Sequence, residues 1–278
     1  MKDKKNPVLV WDSSGTMTNS FPERFLICAD AYLTVHPDTE MQITPKNKVA
    51  TASDYVANPD AYAGLYKRFE KLNPFVKKGI DGYAILEAIR QEADVRITTN
   101  EEFVSFQKGL DKGVQEEFYR AFKKIRKNMK ESDTEAWYGL QPCYPGIPDA
   151  VRKIEIMQLF GKQYVLTAKD SEIVAAIVAS YGLSDVIPRP QVIDAPEGKS
   201  KALAQLASEK GIQVYHVFFA EDSMPNLIPC HEQGHPTVLA GWGYNNDAQR
   251  AEAVKMGIPV ARDAGHLVEI LKSMVVKE

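Results

Sequence analysis

The stretch PVLVWDSSGTMTNS, residues 7–20, is where the fold declares itself. Val8-Leu9-Val10-Trp11 is a continuous apolar run, opened by Pro7 and closed by Asp12, and such a run fits a strand buried on both faces of a parallel sheet. Ser13-Ser14-Gly15-Thr16 cannot prolong it. Small hydroxyl side chains and a glycine tolerant of positive φ turn the chain where the strand emerges. Asp12 then stands at the carboxyl end of a buried strand, the edge where open α/β sheets place their chemistry.

Beyond Ser20, strand-like runs disappear until about Asp133. Pro22-Glu23-Arg24 predicts a first helical turn, with Phe25, Leu26, Ala29 and Leu33 as its apolar stripe and Pro37 as its end. A second helical region, Lys46 to Phe69, carries Tyr55, Tyr62, Leu65, Tyr66 and Phe69, is interrupted at Asn58-Pro59 and is closed by Asn73-Pro74. Ile80 to Ala93 reads as another helix. Thr99-Asn100-Glu101-Glu102 predicts the start of one long helical stretch through Phe103, Phe106, Leu110, Val114, Phe118, Phe122 and Ile125. The tyrosines of this block are expected to be mostly core, and the basic residues between Lys108 and Lys130 a solvated face or a lure for an anionic substrate.

From Tyr144-Pro145-Gly146 onward, helices and short strands alternate. Expected helices run from Ile147 to Phe160, Ser171 to Tyr181, Ser200 to Lys210, Asp247 to Met256, and through Leu267, Leu271 and Met274. Expected strands are Gln163–Thr167, Val192-Ile193, Val214–Ala220, Thr237–Ala240 and Pro259–Ala261. This alternation predicts an α/β fold, a doubly wound parallel sheet interrupted by an inserted all-helical domain.

Composition narrows the partners. Across 278 residues the formal charge is only -3, which gives no argument for nucleic acid or an anionic membrane. No apolar run reaches the length of a membrane span. Met1-Lys2-Asp3-Lys4-Lys5 leads into a run too short for a signal-peptide core, so the chain reads as cytoplasmic. Cys28, Cys143 and Cys230 are distant and odd in number, which suits a reducing compartment. Oligomeric state leaves no mark on the sequence.

Three of the expected strands end in a polar residue at one sheet edge: Asp12, Thr167 and Asp222. Lys199 opens the helix before the last of them. An aspartate, a hydroxyl, a lysine and a second acid are what phosphoryl transfer to a carboxylate needs: a nucleophile, two holders of phosphoryl oxygens and a partner in binding a divalent cation. Over nearly its whole length the chain resembles the haloacid dehalogenase superfamily. Asp12-Ser13-Ser14-Gly15-Thr16 resembles the first motif, Thr167 after its strand the second, Glu197-Gly198-Lys199 the third, and Glu221-Asp222-Ser223 through Asn226 the fourth.

The resemblance implies a Rossmann-like core at residues 1–20 and 139–278 with an α-helical cap at 21–138. It further implies a magnesium-dependent phosphohydrolase or phosphoryl transferase acting on a small phosphorylated metabolite through an aspartyl-phosphate. Asp12, Ser14, Thr167 and Lys199 take the catalytic positions. Ser13, Gly15, Thr167, Ala168 and Lys199 would bind the phosphoryl group, and Asp12, the Ser14 carbonyl and Asp222 would hold Mg2+.

Departures from the pattern point to a second reading. Hydrolytic members usually carry an aspartate where this chain has Ser14, and a hydroxyl cannot shuttle protons near neutral pH. Asn19 and Asn226 also replace frequent acids, which weakens a hard cation's hold, while Glu221 offsets part of that loss. In a related phosphonate-cleaving branch, a small residue at this place goes with a cap lysine; Lys77 and Lys78 are candidates, though no motif marks either. Retaining Asp222 disfavours haloacid dehalogenation. The alternative is a catalytically weakened member that binds a phosphorylated ligand or a protein partner.

Taken singly, Asp12 is also a turn cap, Thr167 a strand-end hydroxyl, Lys199 replaceable by Lys201, and Asn226 a turn residue. His231-Glu232-Gln233-Gly234-His235 matches a zinc-protease pattern, but Gly234, Pro229 and Pro236 oppose the continuous helix it requires. Gly198-Lys199-Ser200 lacks a phosphate loop's first glycine, whose place falls on Ile193.

Overall fold

Alternation of side chains along buried strands gives the core two separate apolar layers. The computed structural model describes residues 6–45, 47–76 and 78–276; the basic segment Met1–Lys5 and Lys77 considered above, and Lys46 at the head of the second helical region, lie outside the described residues. Residue contacts divide the chain into two compact units, Ser20–Pro142 and the remainder on either side of it.

The unit on either side of the insert, taken first, holds a parallel sheet. Among the described residues its strands are β1 (Val8–Asp12), β2 (Lys162–Thr167), β3 (Val192–Asp194), β4 (Val217–Glu221), β5 (Thr237–Ala240) and β6 (Val260–Ala261), in the order β3-β2-β1-β4-β5-β6. β1 lies between β2 and β4, which is why its run is apolar at every position and buried throughout. Leu9 and Trp11 point into one layer with Val165, Phe218 and Ala220, closed by helices α8 (Ile147–Ile156), α9 (Ser171–Ser180) and α13 (Ala264–Val276). Val8 and Val10 point into the other with Leu166, Val217 and Phe219, closed by α10 (Lys199–Lys210), α11 (Met224–Glu232) and α12 (Asp247–Lys255). The sheet is doubly wound, as the alternation predicts.

One strand is shorter than expected. Val214–His216 form a single 3₁₀ turn and β4 begins only at Val217, because Val214 meets its apolar demand by packing against the second layer from outside the sheet.

The second unit is helical: α1 (Phe21–Val35), α2 (Ala52–Ala57), α3 (Ala63–Leu72), α4 (Asp81–Arg90), α5 (Asn100–Lys108), α6 (Lys112–Ser132) and α7 (Thr134–Gly139). The long helix expected from Thr99 is two helices. α5 starts with the Thr99–Glu102 capping box and stops at Gly109, and Asp111 restarts the chain by accepting the Val114 N–H at 2.9 Å. Apolar periodicity runs through the break, so the pattern alone does not show it. α1 packs along α6, where buried Glu23 accepts two hydrogen bonds, at 2.8 and 3.1 Å, from Arg126. Among the described residues no helix is long and apolar enough to cross a membrane.

Candidate active site

Strand register brings the polar ends together. Trp11 pairs with Ala220, so Asp12 and Glu221 stand level at the carboxyl ends of adjacent strands. On the other side Asp12 pairs with Leu166, leaving Thr167 one residue further along β2. Gly198, at φ 105°, turns the chain into α10, whose first residue, Lys199, is 9 % exposed. The Lys199 ammonium donates to Asp12 Oδ1 and, at 2.5 Å, to Glu221 Oε2. Glu221 Oε1 accepts the backbone N–H groups of Asp222 and Ser223 at 3.2 and 2.9 Å. Asp222 Oδ2 accepts the Tyr244 backbone N–H at 2.7 Å, and Oδ1 takes a longer contact of 3.5 Å from the Thr16 hydroxyl.

Three buried carboxylates therefore face one ammonium. Burial, then the charge of Glu221, raises the Asp12 carboxyl to about 7, with Lys199 pulling the other way. Asp222 is pushed well above the usual carboxylate range by burial and by Glu221 and Asp12. Burial opposes the charge on Lys199, but Asp12 and Glu221 outweigh it and its affinity for the proton rises. Ligand atoms of Asp12, Glu221 and Asp222 all lie within 4.8 Å of one another. Asp12 Oδ2 is buried without a hydrogen-bond partner among the described residues. A buried carboxylate oxygen without a donor is costly, and excess negative charge with hard oxygen donors is the setting a divalent cation of the magnesium type requires. The residues present fit such an ion.

The turn after Asp12 is fixed from two sides. Ser13 O accepts the N–H groups of Met17 and Thr18, while Gly15 donates to Thr18 O at 2.8 Å. Trp242 Nε1 donates to Thr16 O at 3.0 Å, and the Tyr181 hydroxyl donates to Thr18 Oγ1 at 3.0 Å. Gly15 has φ 102°, and a Cβ there would fall 2.2 Å from Asp222 Oδ2. A Cβ on Gly243 would fall 2.3 Å from both Asp222 Cβ and Gly15 O. Only glycines let the two loops meet at Asp222.

Asp12, Asp222 and Lys199 are thus brought together, and Glu221 joins them. Thr167 is buried at its strand end, its hydroxyl accepting the Lys169 N–H at 2.9 Å, and Ala168 beside it is exposed. Ser13 is buried, whereas Ser14 is partly exposed and its hydroxyl has no partner among the described residues. Lys201 pairs with exposed Glu197 and not with the acids of the site. Asn19 Oδ1 accepts the Tyr244 hydroxyl at 3.4 Å, and Asn226 lies in the first turn of α11. Lys78, in the helical unit, donates its backbone N–H to Asp81. His231 faces Thr237 and His235 donates from Nδ1 to Val217 O, so the apparent zinc pair has separate structural partners.

Sequence reasoning does not find Trp242, Gly243 and Tyr244. Glu221 carries a signal, an acidic pair closing an apolar strand. The Gly241–Asn245 loop carries none, since its role comes from where the end of β5 falls beside β4.

No protein-family model and no curated sequence matches this chain. Solved structures match its backbone closely. A candidate phosphoglycolate phosphatase from Lactobacillus delbrueckii subsp. bulgaricus superposes with a TM-score of 0.63 at 13% identity, covering 96% of this chain and 98% of that one. A haloacid dehalogenase-like hydrolase from Streptococcus pneumoniae gives 0.60 at 13% identity over 95% and 98%. A predicted phosphoglycolate phosphatase from Haemophilus somnus gives 0.58 at 16% identity over 96% and 99%. The chain has the haloacid dehalogenase-like fold, a Rossmann-like core with a helical insert.

Proposed function

We propose that this protein is a phosphohydrolase or phosphoryl transferase that uses Asp12 as nucleophile on a small phosphorylated metabolite, with Mg2+ as cofactor. The observation that carries this reading is the pairing of Asp12 with Lys199 at the strand edge while Asp12 Oδ2 and the Asp222 carboxylate remain for a cation. Mg2+, when bound, neutralises charge on the phosphoryl oxygens and on the attacking carboxylate. Asp12 and Asp222 would hold it, with the Ser14 carbonyl as a further ligand. Lys199 holds the Asp12 carboxylate in place and, with Thr167, Ser13, Gly15 and the backbone at Ala168, binds phosphoryl oxygens. Asp12 then attacks phosphorus, the bond from phosphorus to the leaving oxygen breaks with that oxygen keeping the electron pair, and the resulting aspartyl-phosphate is cleaved by water in a hydrolase or by an acceptor hydroxyl in a transferase. Turnover of a phosphate-ester panel with Mg2+, lost in Asp12→Asn, is the test.

The second reading, a weakened member that binds a phosphorylated ligand or a protein partner, is favoured by Ser14, whose hydroxyl cannot itself shuttle protons near neutral pH. Its mark is ligand binding that survives Asp12→Asn in a protein without turnover.

A further inference from the structure

Asp222 stands one residue past the end of β4. The β4–β5 register runs Phe219 to Thr237, Ala220 to Val238 and Glu221 to Leu239, so Asp222 and Ala240 are the next pair in line. A side chain spans that pair. Asn245 Nδ2 donates to Asp222 O at 3.0 Å and to Ala240 O at 2.9 Å, extending the join between the two strands by one step. Asn245 is 8 % exposed, so both hydrogen bonds are shielded from water and gain strength from it.

An amide serves two carbonyls only with its NH2 group turned toward them, and Arg250 of α12 fixes that orientation. A guanidinium only donates, and Nη1 reaches Asn245 Oδ1 at 2.8 Å and Asn245 O at 3.0 Å, with a longer contact of 3.4 Å to Gly241 O. The guanidinium is itself anchored. Nη2 donates to Asp247 Oδ1 at 2.5 Å, and the first turn of α12 is closed by the Asn246–Gln249 capping box. A continuous chain of hydrogen bonds therefore runs from α12 through Asn245 to Asp222.

Three successive loop residues grip Asp222 at its far end: Gly243 lies against its Cβ, the Tyr244 N–H bonds Oδ2 at 2.7 Å, and Asn245 bonds its carbonyl. The first two contacts are made by main chain, so they hold only while the loop keeps its path. Arg250 and Asn245 set that path.

We infer that Asn245 and Arg250 are positioning residues of the cation site, which fix its affinity for a divalent ion by aiming the Asp222 carboxylate. This rests on the reading of Asp222 as a ligand of Mg2+. Charge works in the opposite sense. By Coulomb's law alone, removing the Arg250 charge, or replacing neutral Asn245 by Asp, leaves affinity for a cation unchanged or raises it. Loss of positioning lowers it in both cases.

The test is Mn2+ binding to the full chain by titration calorimetry, at a temperature where circular dichroism shows each variant folded. Asn245→Asp keeps the side-chain shape but sets a carboxylate oxygen against two carbonyls. It should weaken binding at least about tenfold, as loss of a group that orients a metal ligand does. Arg250→Met should weaken it at least about twofold, the least that one hydrogen bond contributes. Because Arg250 acts through Asn245, adding Arg250→Met to Asn245→Ala should change little beyond Asn245→Ala alone. Unchanged or tighter binding in either single variant overturns the inference and leaves Asp222 as a ligand. No binding to the natural protein, or equal binding to Asp222→Asn, overturns the cation reading as well. Should Asn245→Asp not fold, Arg250→Met carries the test, since that side chain is 33 % exposed.

Discussion

Glu221 Oε2 accepts the Lys199 ammonium at 2.5 Å, which makes one buried lysine the link between the ends of β1 and β4. Without it, Asp12 and Glu221 are two buried like charges on adjacent strands. Lys199→Met should lower unfolding stability by about 3–5 kcal/mol, the range for breaking a buried ion pair. Glu221→Gln keeps a Lys199 partner and the backbone contacts and should cost about 1–3 kcal/mol. Denaturant unfolding of the two variants and their double mutant checks this: the double should lie closer to Glu221→Gln than additivity allows.

Glycine spacing at Asp222 gives a second expectation. A methyl group on Gly243 has no room, at 2.3 Å from Asp222 Cβ and from Gly15 O, and neither neighbour is the loose end of a flexible chain. Gly243→Ala should therefore displace Asp222 or the turn, with a stability loss of about 1–3 kcal/mol. Mn2+ affinity, read by titration calorimetry, should fall at least about tenfold, since ligand geometry is what the close approach fixes. Gly257→Ala, where a Cβ meets nothing within 4 Å although φ is 78°, controls for backbone strain alone.

These contacts show what the sequence makes legible. Asp12 and Asp222 can be placed because each closes an apolar run, and strand period and polarity are local properties. Lys199 follows from helix alternation once the parallel sheet is accepted. Glu221 is half legible: its acidity is visible, but its ion pair depends on the register of Trp11 against Ala220. Trp242, Gly243 and Tyr244 are illegible, since no local pattern says that the loop after β5 closes on Thr16 and Asp222. The break between α5 and α6 escapes for another reason. Gly109 and Asp111 interrupt the backbone without interrupting the apolar face.

A cation that binds the folded site and not the unfolded chain raises stability by mass action, about 2.7 kcal/mol at a hundred times its Kd. Thermal unfolding should therefore shift upward with Mg2+ in the natural protein. In Asp222→Asn the shift should vanish, and the metal-free variant should be no less stable than the natural protein, because one of three crowded negative charges is gone. An equal Mg2+ response in both proteins would contradict the assignment of Asp222 as a ligand.

Asp30 and His235 should contribute to the pH dependence of stability with opposite signs. In the helical unit, Asp30 accepts the Ala50 N–H at 3.0 Å through Oδ1, while Oδ2 is buried without a partner among the described residues. Burial raises this carboxyl to about 7, with nearby Asp54 adding to it. The folded unit therefore holds a proton that the unfolded chain releases near 4, so stability is full below that value and is lost as pH rises toward 7. In the core, burial lowers the pKa of His235. The unfolded chain takes up a proton below about 6.5 that the fold refuses, so stability is present above that pH and is lost as pH falls through it. Each slope is bounded by about 1.4 kcal/mol per pH unit for one proton. Hydrogen exchange between pH 5 and 7, corrected for intrinsic rates, should show protection of α1 falling with pH, while in the core the raised carboxyls of Asp12 and Asp222 act in the direction of Asp30 and oppose His235. Asp30→Asn should flatten the trend in α1 alone, and His235→Gln should make protection of β4 and β5 fall more steeply with pH. The slopes carry the result even if a substitution shifts absolute stability.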